Sequence, residues 1–557
     1  MSSITIEFEG HRIDARRGES VAAALTAAGV RGLRTTRSGA ARGIFCGMGV
    51  CQECLVEIDG RPHRACMTIV DRPMTIRRES HRRPLAPVAA GLAPRTLDAV
   101  AVERPEVLVI GAGPGGLAAA IAARRAGAAV LVLDERAHAG GQYFKQLADP
   151  ATGRPDRQQA RGRRLIDEAV ALGVELRPAV EVWGGFAPMT IAASWRSGLL
   201  QLEPQALIIA TGAYERGVPV PGWTLPGVMT TGAAQTLWRC YRRTPGRRVL
   251  IAGNGPLNLQ VACELLEGGA TIAAVVESAA APGMGDVATL AAMASAAPRL
   301  FAQGLAYRAR LLAAGVTVSH GGVVRGIAAA TDGLIVQIGD RRQGATRQHR
   351  VDAVCLGYGF EPANELARAL GCAHDHDADR GTLVTRRDEE GRTSVAGISA
   401  VGDCTGLGGA LAAMADGTIV GAAAAAALGH RPDAKLAGDI ELARQALARQ
   451  RRFQAALWRL YRAPRLTLEL ALPSTILCRC EEVTKAELDA ALAEGPAPIG
   501  EIKRRTRAGM GACQGRYCGP LLKAAIAAAG GDVAESFAPR PPAKPLTIAD
   551  LARSPAP

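Results

Sequence analysis

Along the chain the spacing of apolar residues changes character several times, and each change predicts a different kind of element. Apolar and polar positions alternate from Ile4 to Phe8 and again from His11 to Ala15, which predicts a hairpin; Val21 to Ala28 reads as a helix and Leu55 to Ile58 as a returning strand. Arg77 to Ala101 is rich in Pro, Arg and Ala and predicts a linker. Beyond it an apolar run, Val107 to Ile110, passes straight into a glycine-rich turn and a helix, followed by a second strand from Ala129 to Leu133. The same strand–turn–helix order returns at Arg248, so the middle of the chain is a diverged internal repeat of α/β units. A charged amphipathic stretch, Asp439 to Tyr461, comes later, and the end, Pro539-Arg-Pro-Pro-Ala-Lys-Pro, predicts a flexible tail or docking strap.

Hydrophobic residues make up 48% and charged residues 21% of the 557, which suits a globular chain with several cores and excludes a disordered or fibrous one. No uninterrupted apolar stretch reaches the ~20 residues of a membrane helix. Thr418 to Leu428 comes nearest, short and rich in Ala and Gly, so a soluble chain with no transmembrane segment is expected. The N-terminus lacks a basic segment followed by an apolar one, which makes the cytoplasm the expected location. The net charge of +14 is scattered and only 4% of residues are aromatic, so it reads as a solvated basic surface, with no nucleic-acid partner.

Thirteen cysteines without an export signal call for metal or redox chemistry rather than disulfides. Cys46, Cys51, Cys54 and Cys66 read C-x4-C-x2-C with a later fourth. Thiolates so spaced can wrap one [2Fe-2S] cluster, because the short loop brings three sulfurs to one side and a following segment brings the fourth. Gly47 and Gly49 let backbone N–H groups turn toward the sulfurs. Structural zinc is the alternative, though zinc more often uses paired C-x2-C knuckles. A second set, Cys478 with Cys480 and Cys513 with Cys518, can hold a second [2Fe-2S] cluster or one zinc ion; Lys503, Arg504, Arg505 and Arg507 either offset its charge or form a wet helical face. Cys240, Cys263, Cys355, Cys372 and Cys404 are expected to be inert core or loop thiols. Cys372, His374, Asp375, His376 and Asp379 have metal-like residue types but read as a solvated loop.

Gly111, Gly113 and Gly116 stand in G-x-G-x-x-G register around Pro114 and Gly115, permitting a tight turn and a pyrophosphate at the helix N-terminus. Asp134-Glu135 ends the next strand, placed to accept hydrogen bonds from ribose hydroxyls. The second motif has Gly253 and Gly255, followed by Glu277, but Asn258 stands where the third glycine belongs. A side chain there pushes helix and strand apart or crowds a nucleotide, so the motif is either an NAD(P) site or a retained, idle fold.

Other segments carry resemblances. Gly402-Asp403 after an apolar strand resembles the second flavin motif of two-dinucleotide FAD oxidoreductases, which implies FAD with Asp403 on its ribityl chain. Thr211-Gly212 resembles that family's middle motif, and Gly141-Gln142 its loop near the flavin. No Cys-x2-Cys or Cys-x4-Cys lies near these motifs, which argues against a thiol-pair disulfide reductase. The N-terminal part resembles a β-grasp ferredoxin domain, and the second cysteine set resembles the domain of bacterioferritin-associated ferredoxin. This order, with Tyr214-Glu-Arg-Gly-Val-Pro-Val-Pro-Gly-Trp-Thr-Leu-Pro-Gly-Val, resembles the α subunits of heteromeric amino-acid dehydrogenases. That group takes in opine oxidases, hydrogen cyanide synthase, D-hydroxyproline dehydrogenase and, in part, sarcosine oxidase; the ferredoxin part is fused here where several relatives carry it on a separate chain.

The resemblance implies an α/β, two-dinucleotide-binding-domain flavoprotein of tandem Rossmann-like units. The expected organisation is a [2Fe-2S] ferredoxin domain over 1–80, a linker over 81–104, and an FAD domain over 105–240 and 356–430 interrupted by an NAD(P)-type Rossmann domain over 241–355. A helical linker over 431–470, a small helical iron–sulfur domain over 471–535 and a tail over 536–557 complete it. It also implies an FAD-dependent oxidoreductase acting on CH-NH or CH-NH2 donors as the electron-transfer subunit of a complex. A partner resembling D-amino-acid oxidase, a flavoprotein β subunit, would oxidise the C–N bond of an amino acid, imino acid or opine; this chain would pass the electrons through FAD and clusters to an acceptor. The alternative is a self-sufficient NAD(P)H-dependent reductase of a partner protein. No constellation demands a general base or nucleophile, so no catalytic residue is assigned.

Overall fold

A computed structural model describes residues 3–80, 100, 102–195, 198–340, 347–532 and 540–546. The N-terminal hairpin is Ser3–Phe8 against His11–Arg16, with Ile4 opposite Ala15 and Ile6 opposite Ile13. Helix Val21–Ala27 is capped by the Ser20 side chain, which accepts from Ala23 N, and is buried along most of its length. Strand Thr75–Ser80 runs parallel to the first strand and antiparallel to Leu55–Ile58. Arg77 to Ser80, linker by composition but inside the expected 1–80 domain, belong to the sheet, because Met74 and Ile76 are buried and their carbonyls accept from Glu7 and Glu9. The rest of that expected linker lies outside the described residues except Val100.

The first α/β unit is a five-stranded parallel sheet in the order Glu175–Arg177, Val130–Leu133, Val107–Ile110, Ala206–Ile209, Ile398–Ala400. Its three inner strands are buried at every position, as a sheet covered on both faces requires. Helices Pro114–Arg125 and Ala410–Ala427 pack on each other through Gly and Ala. The second is long and apolar enough, by length and composition, to cross a membrane, but 61% of it is buried inside the protein.

The second α/β unit is also parallel, in the order Val228–Thr230, Ala353–Gly357, Arg248–Gly253, Thr271–Glu277, Val318–His320. It starts ahead of residue 241, since Val228–Thr230 pairs with Ala353–Gly357 and helix Thr231–Tyr241 packs beside that pair. Helix Ala434–Leu460 then crosses from one unit to the other: Leu436 packs in the first core, whereas Phe453 and Ala456 pack with Met293 and Ala297 of the second. A small hairpin, Ile476–Cys478 with Val483–Thr484, and helices Lys485–Leu492, Ile499–Thr506 and Gly519–Ala528 form the C-terminal unit. The Pro-rich end returns to the first unit, where Ala543 N donates to Trp183 O at 2.6 Å.

Candidate functional site: a nucleotide cavity beside two cysteine sites

A cavity of about 810 Å³ runs between the two α/β units and past the first cysteine loop. One end is the glycine loop, with Gly111, Gly113, Pro114 and Gly115 on its wall. Gly116 lies beneath that wall, where a Cβ would stand 1.9 Å from Gly111 O, so only glycine lets the helix approach its strand this closely. Asp134 is consumed in holding the loop: its carboxylate accepts from Ala112 N at 2.7 Å and from Arg136 N at 2.8 Å. Asp134 and Glu135 both line the cavity, and Glu135 is ion-paired there to Lys544 of the C-terminal strap. Burial pushes the Glu135 carboxyl up, but Lys544 and Arg64 outweigh it and hold it below the ordinary range. Gly141, Gln142, Thr211, Gly212, Gly402 and Asp403 line the same cavity; Asp403 accepts from Gly408 N and Gly409 N, both at 2.9 Å.

Toward the first cysteine loop the wall becomes polar in a way the sequence did not announce. Lys145 Nζ donates to Gln235 Oε1 at 2.8 Å and to Gly232 O at 3.1 Å, while Glu215 Oε2 accepts from Gly232 N at 2.7 Å. Burial lowers Lys145 to about 7 and raises Glu215 to about 7, so both can gain or lose a proton near neutrality. Glu215 lies within the long Tyr214–Val228 motif and Lys145 three residues past Gln142; what no pattern could supply was their meeting in one wall.

The second nucleotide-type loop is differently employed. Asn258 is buried, accepts from Thr231 Oγ1 at 2.9 Å and donates to Gly357 O at 3.1 Å, so it ties helix to strand where a glycine would let them touch. Glu277 accepts from Gly255 N at 2.9 Å and from Ala279 N at 3.1 Å. Asn254, between Gly253 and Gly255, donates to Tyr461 O at 2.9 Å, which brings the end of the crossing helix onto the loop.

The cysteines of each set stand in two hydrogen-bonded pairs, Cys46 with Cys51 and Cys54 with Cys66, Cys478 with Cys518 and Cys480 with Cys513. Among the described residues no three His, Cys, Asp or Glu side chains converge on a point for a single ion. Two pairs of thiols suit a two-iron cluster, in which each iron takes two sulfurs. Against the upward push of burial, hydrogen bonds from Cys51 and from backbone N–H groups of Met48, Cys51 and Val50 hold the Cys46 thiol at about 6. Cys480 hydrogen-bonds Cys513 and, with backbone N–H groups of Tyr517 and Gly515 and the Arg516 charge, offsets burial to keep that thiol at about 7. Gly47 has φ +62°, and a Cβ on it would stand 2.9 Å from Ala233 Cα, so the first loop needs glycine to lie against helix Thr231–Tyr241.

Between the two sets lies a fully buried carboxylate, Glu53, paired to Arg34 at 2.6 Å, Arg479 at 2.9 Å and Arg42 at 3.6 Å. The Nε atoms of Arg34 and Arg479 and Tyr517 Oη are buried without a hydrogen-bond partner in the protein, a supply of donors that suits an anionic cluster on each side. Of the basic residues singled out near the second set, Arg505 pairs with Glu494 and Glu501, and Arg507 with Glu481, on the outer face. The His374 region is not a loop; it is a hairpin, His374–Asp377 against Thr382–Thr385, with His374 bonded to Cys372 O and Thr385 Oγ1. The Cys404 thiol is buried against Ile209 O and Val401 O, and burial raises it.

Fold and site together define a flavoprotein of two dinucleotide-type units bearing an iron–sulfur domain at each end. Residues 105–428 match the family described as pyridine nucleotide-disulphide oxidoreductase, and the chain belongs to that family. Residues 1–81 match the 2Fe-2S iron-sulfur cluster binding domain, and 476–528 the BFD-like [2Fe-2S] binding domain, which sets zinc aside at the second set. The A subunit of opine oxidase from Agrobacterium tumefaciens (strain Ach5) is 32% identical over 81% of this chain and 92% of its own length. Hydrogen cyanide synthase subunit HcnB of Pseudomonas aeruginosa is 33% identical over 74% of this chain and 90% of its own. The HcnA subunit from the same organism is 48% identical over 82 residues, covering 14% of this chain and 79% of its own length, so two polypeptides there correspond to one chain here. The crystal structure of L-proline dehydrogenase from P. horikoshii superposes with a TM-score of 0.70 over 99% of this chain and 98% of its own, at 20% identity, and thus shares the fold. The chain is an oxidoreductase whose cofactors are FAD and two [2Fe-2S] clusters.

Proposed function

We propose that this chain is the electron-transfer subunit of a heteromeric dehydrogenase or oxidase that oxidises the C–N bond of an amino acid, imino acid or opine. The carrying observation is that Cys46 lines the nucleotide cavity and also shares a buried core with Cys513, so a flavin site and two one-electron sites adjoin. When bound, the flavin supplies the exchange between electron pairs and the single electrons that iron–sulfur centres carry. In this reading the loop from Gly111 to Gly116 receives the pyrophosphate on its N–H groups, Glu135 accepts from the ribose, and Asp403 faces the ribityl chain. Cys46, Cys51, Cys54 and Cys66 hold the first cluster, and Cys478, Cys480, Cys513 and Cys518 the second. Lys145 Nζ and Glu215, at the cavity end nearest the first cysteine loop, would hold or release a proton beside a bound flavin. A flavoprotein β subunit resembling D-amino-acid oxidase delivers the electrons. The names of the relatives, each one subunit of an opine oxidase or of a hydrogen cyanide synthase, support a partner.

The rival, an NAD(P)H-dependent reductase, needs Gly253, Gly255 and Glu277 to receive a nucleotide while Asn254 and Glu277 already hold internal partners. Anaerobic absorbance titration of the loaded chain with NADH and NADPH decides between them. Unchanged flavin and cluster bands that bleach with dithionite are expected; rapid bleaching by either nucleotide would replace the subunit reading with the reductase.

A further inference from the structure

The residues next in sequence to the ligands of one cysteine set touch those next to the ligands of the other. Phe45 precedes Cys46 and Tyr517 precedes Cys518, and their rings meet edge to face with centroids 5.3 Å apart. Glu53 precedes Cys54, and it is paired at 2.9 Å with Arg479, which stands between Cys478 and Cys480. The Arg479 guanidinium lies over both Phe45, at 3.9 Å from the ring centroid, and Trp223, at 4.7 Å, and donates to Trp223 O at 2.7 Å. Thus two short routes, one aromatic and one ionic, span the same gap, and Trp223 closes it against solvent with 1% of its surface exposed.

We infer that Phe45, Tyr517, Arg479 and Glu53 form a bridge that joins the two iron–sulfur sites for direct electron exchange and holds the charge between them near balance. The inference rests on the electron-transfer reading above and adds the route. Across this bridge one electron leaves the first cysteine site, which is oxidised by one, and enters the second, which is reduced by one; no bond is made or broken and no proton moves. The first site is the donor because Cys46, Met48 and Val50 line the flavin cavity. Two anionic clusters packed this closely would repel a shared electron, and the cations Arg34, Arg42 and Arg479 outnumber Glu53 in the gap between them. The aromatic rings pack edge to face in a buried core, so the separation is set by packing rather than by a flexible hinge.

The test uses the full chain with flavin and both clusters, reduced with dithionite so that flavin chemistry is not needed. Low-temperature EPR of the wild type should show mutual magnetic broadening when both clusters are reduced; two unbroadened, independent signals would overturn the bridge. Rapid mixing with substoichiometric dithionite should show cluster-to-cluster equilibration slowed several-fold in Tyr517→Leu and kept in Tyr517→Phe, and wild-type rates in Tyr517→Leu would overturn the aromatic route. Arg479→Met should shift both midpoint potentials negative, with Arg479→Lys near wild type; unshifted potentials in Arg479→Met would overturn the ionic one. Iron and sulfide content identifies variants that have lost a cluster, and Phe45→Leu then replaces Tyr517→Leu. If photoreduced flavin fails to pass electrons to clusters that still broaden each other, the electron-transfer reading fails while the bridge stands.

Discussion

The chain builds one strand–turn–helix unit twice, and at the third glycine position the first copy has Gly116 and the second Asn258. In the first copy helix and strand touch through Gly111 and Gly116, Asp134 steadies the loop, and Glu135 beside it lines the cavity. In the second, Asn258 fills the contact with two hydrogen bonds, Glu277 takes over the loop-steadying work, and Tyr461 O engages Asn254. The same fold thus has one copy with an acid paired to the C-terminal strap and one whose asparagines are bound to neighbouring segments of the chain. Retaining a dinucleotide fold and retaining a dinucleotide site are separate properties, because the first depends on strand and helix packing and the second on a few groups left available to a ligand.

Exchanging the residues at the third glycine position puts this contrast under the greatest strain. Gly116→Asn forces a side chain onto Gly111 O, so the purified protein should carry no flavin by its absorbance and should lose at least the ~1–3 kcal/mol of an overpacked core in denaturant unfolding. Removing the acid from the first copy is milder: Glu135→Gln should weaken FAD by about 1.5–3 kcal/mol, roughly ten- to a hundredfold in Kd, read as flavin retained on dilution. Asn258→Gly should cost about 1–2 kcal/mol through its two lost hydrogen bonds, and should not create NADH oxidation, since Asn254 and Glu277 keep their partners. Bleaching of the flavin by NADH in that variant would mean that Asn258 alone closes the second site. The smallest effect is in pH. Burial raises Glu277 from an ordinary 4.5 to about 7, so the folded chain keeps a proton there that the unfolded chain has released. That contribution is complete below about 4.5 and is lost as pH rises through about 7, and Glu277→Gln should flatten this part of the Tm-versus-pH curve.

Much of the architecture was legible because it is written locally. Glycine spacing after apolar strands marked both nucleotide folds, and C-x4-C spacing marked the first cluster domain, since each motif is a few neighbouring residues obliged to bend in one way. Boundaries were less legible: Arg77 to Ser80 looked like linker because a strand with charged residues shows no apolar run, and Val228–Thr230 joined the second sheet only through its partner Ala353–Gly357. The second cluster's counter-charges were sought in the basic run from Lys503 to Arg507, whose Arg505 and Arg507 pair on the outer face, whereas Arg479 sat unnoticed between two cysteines.

Residue types and short spacings were enough to mark a dinucleotide fold, two sets of four cysteines, a diverged second nucleotide unit and a Pro-rich end, and the flavin came from a resemblance. Such signals survive without knowledge of any distant contact. It took the folded chain to bring Glu135 to Lys544, to set Lys145 and Glu215 in one wall, to carry Tyr461 to Asn254, and to join Glu53 to Arg479 across 426 residues of chain. Each brings together polar groups far apart in sequence, because packed apolar surfaces carry them there and burial favours their being paired within the protein.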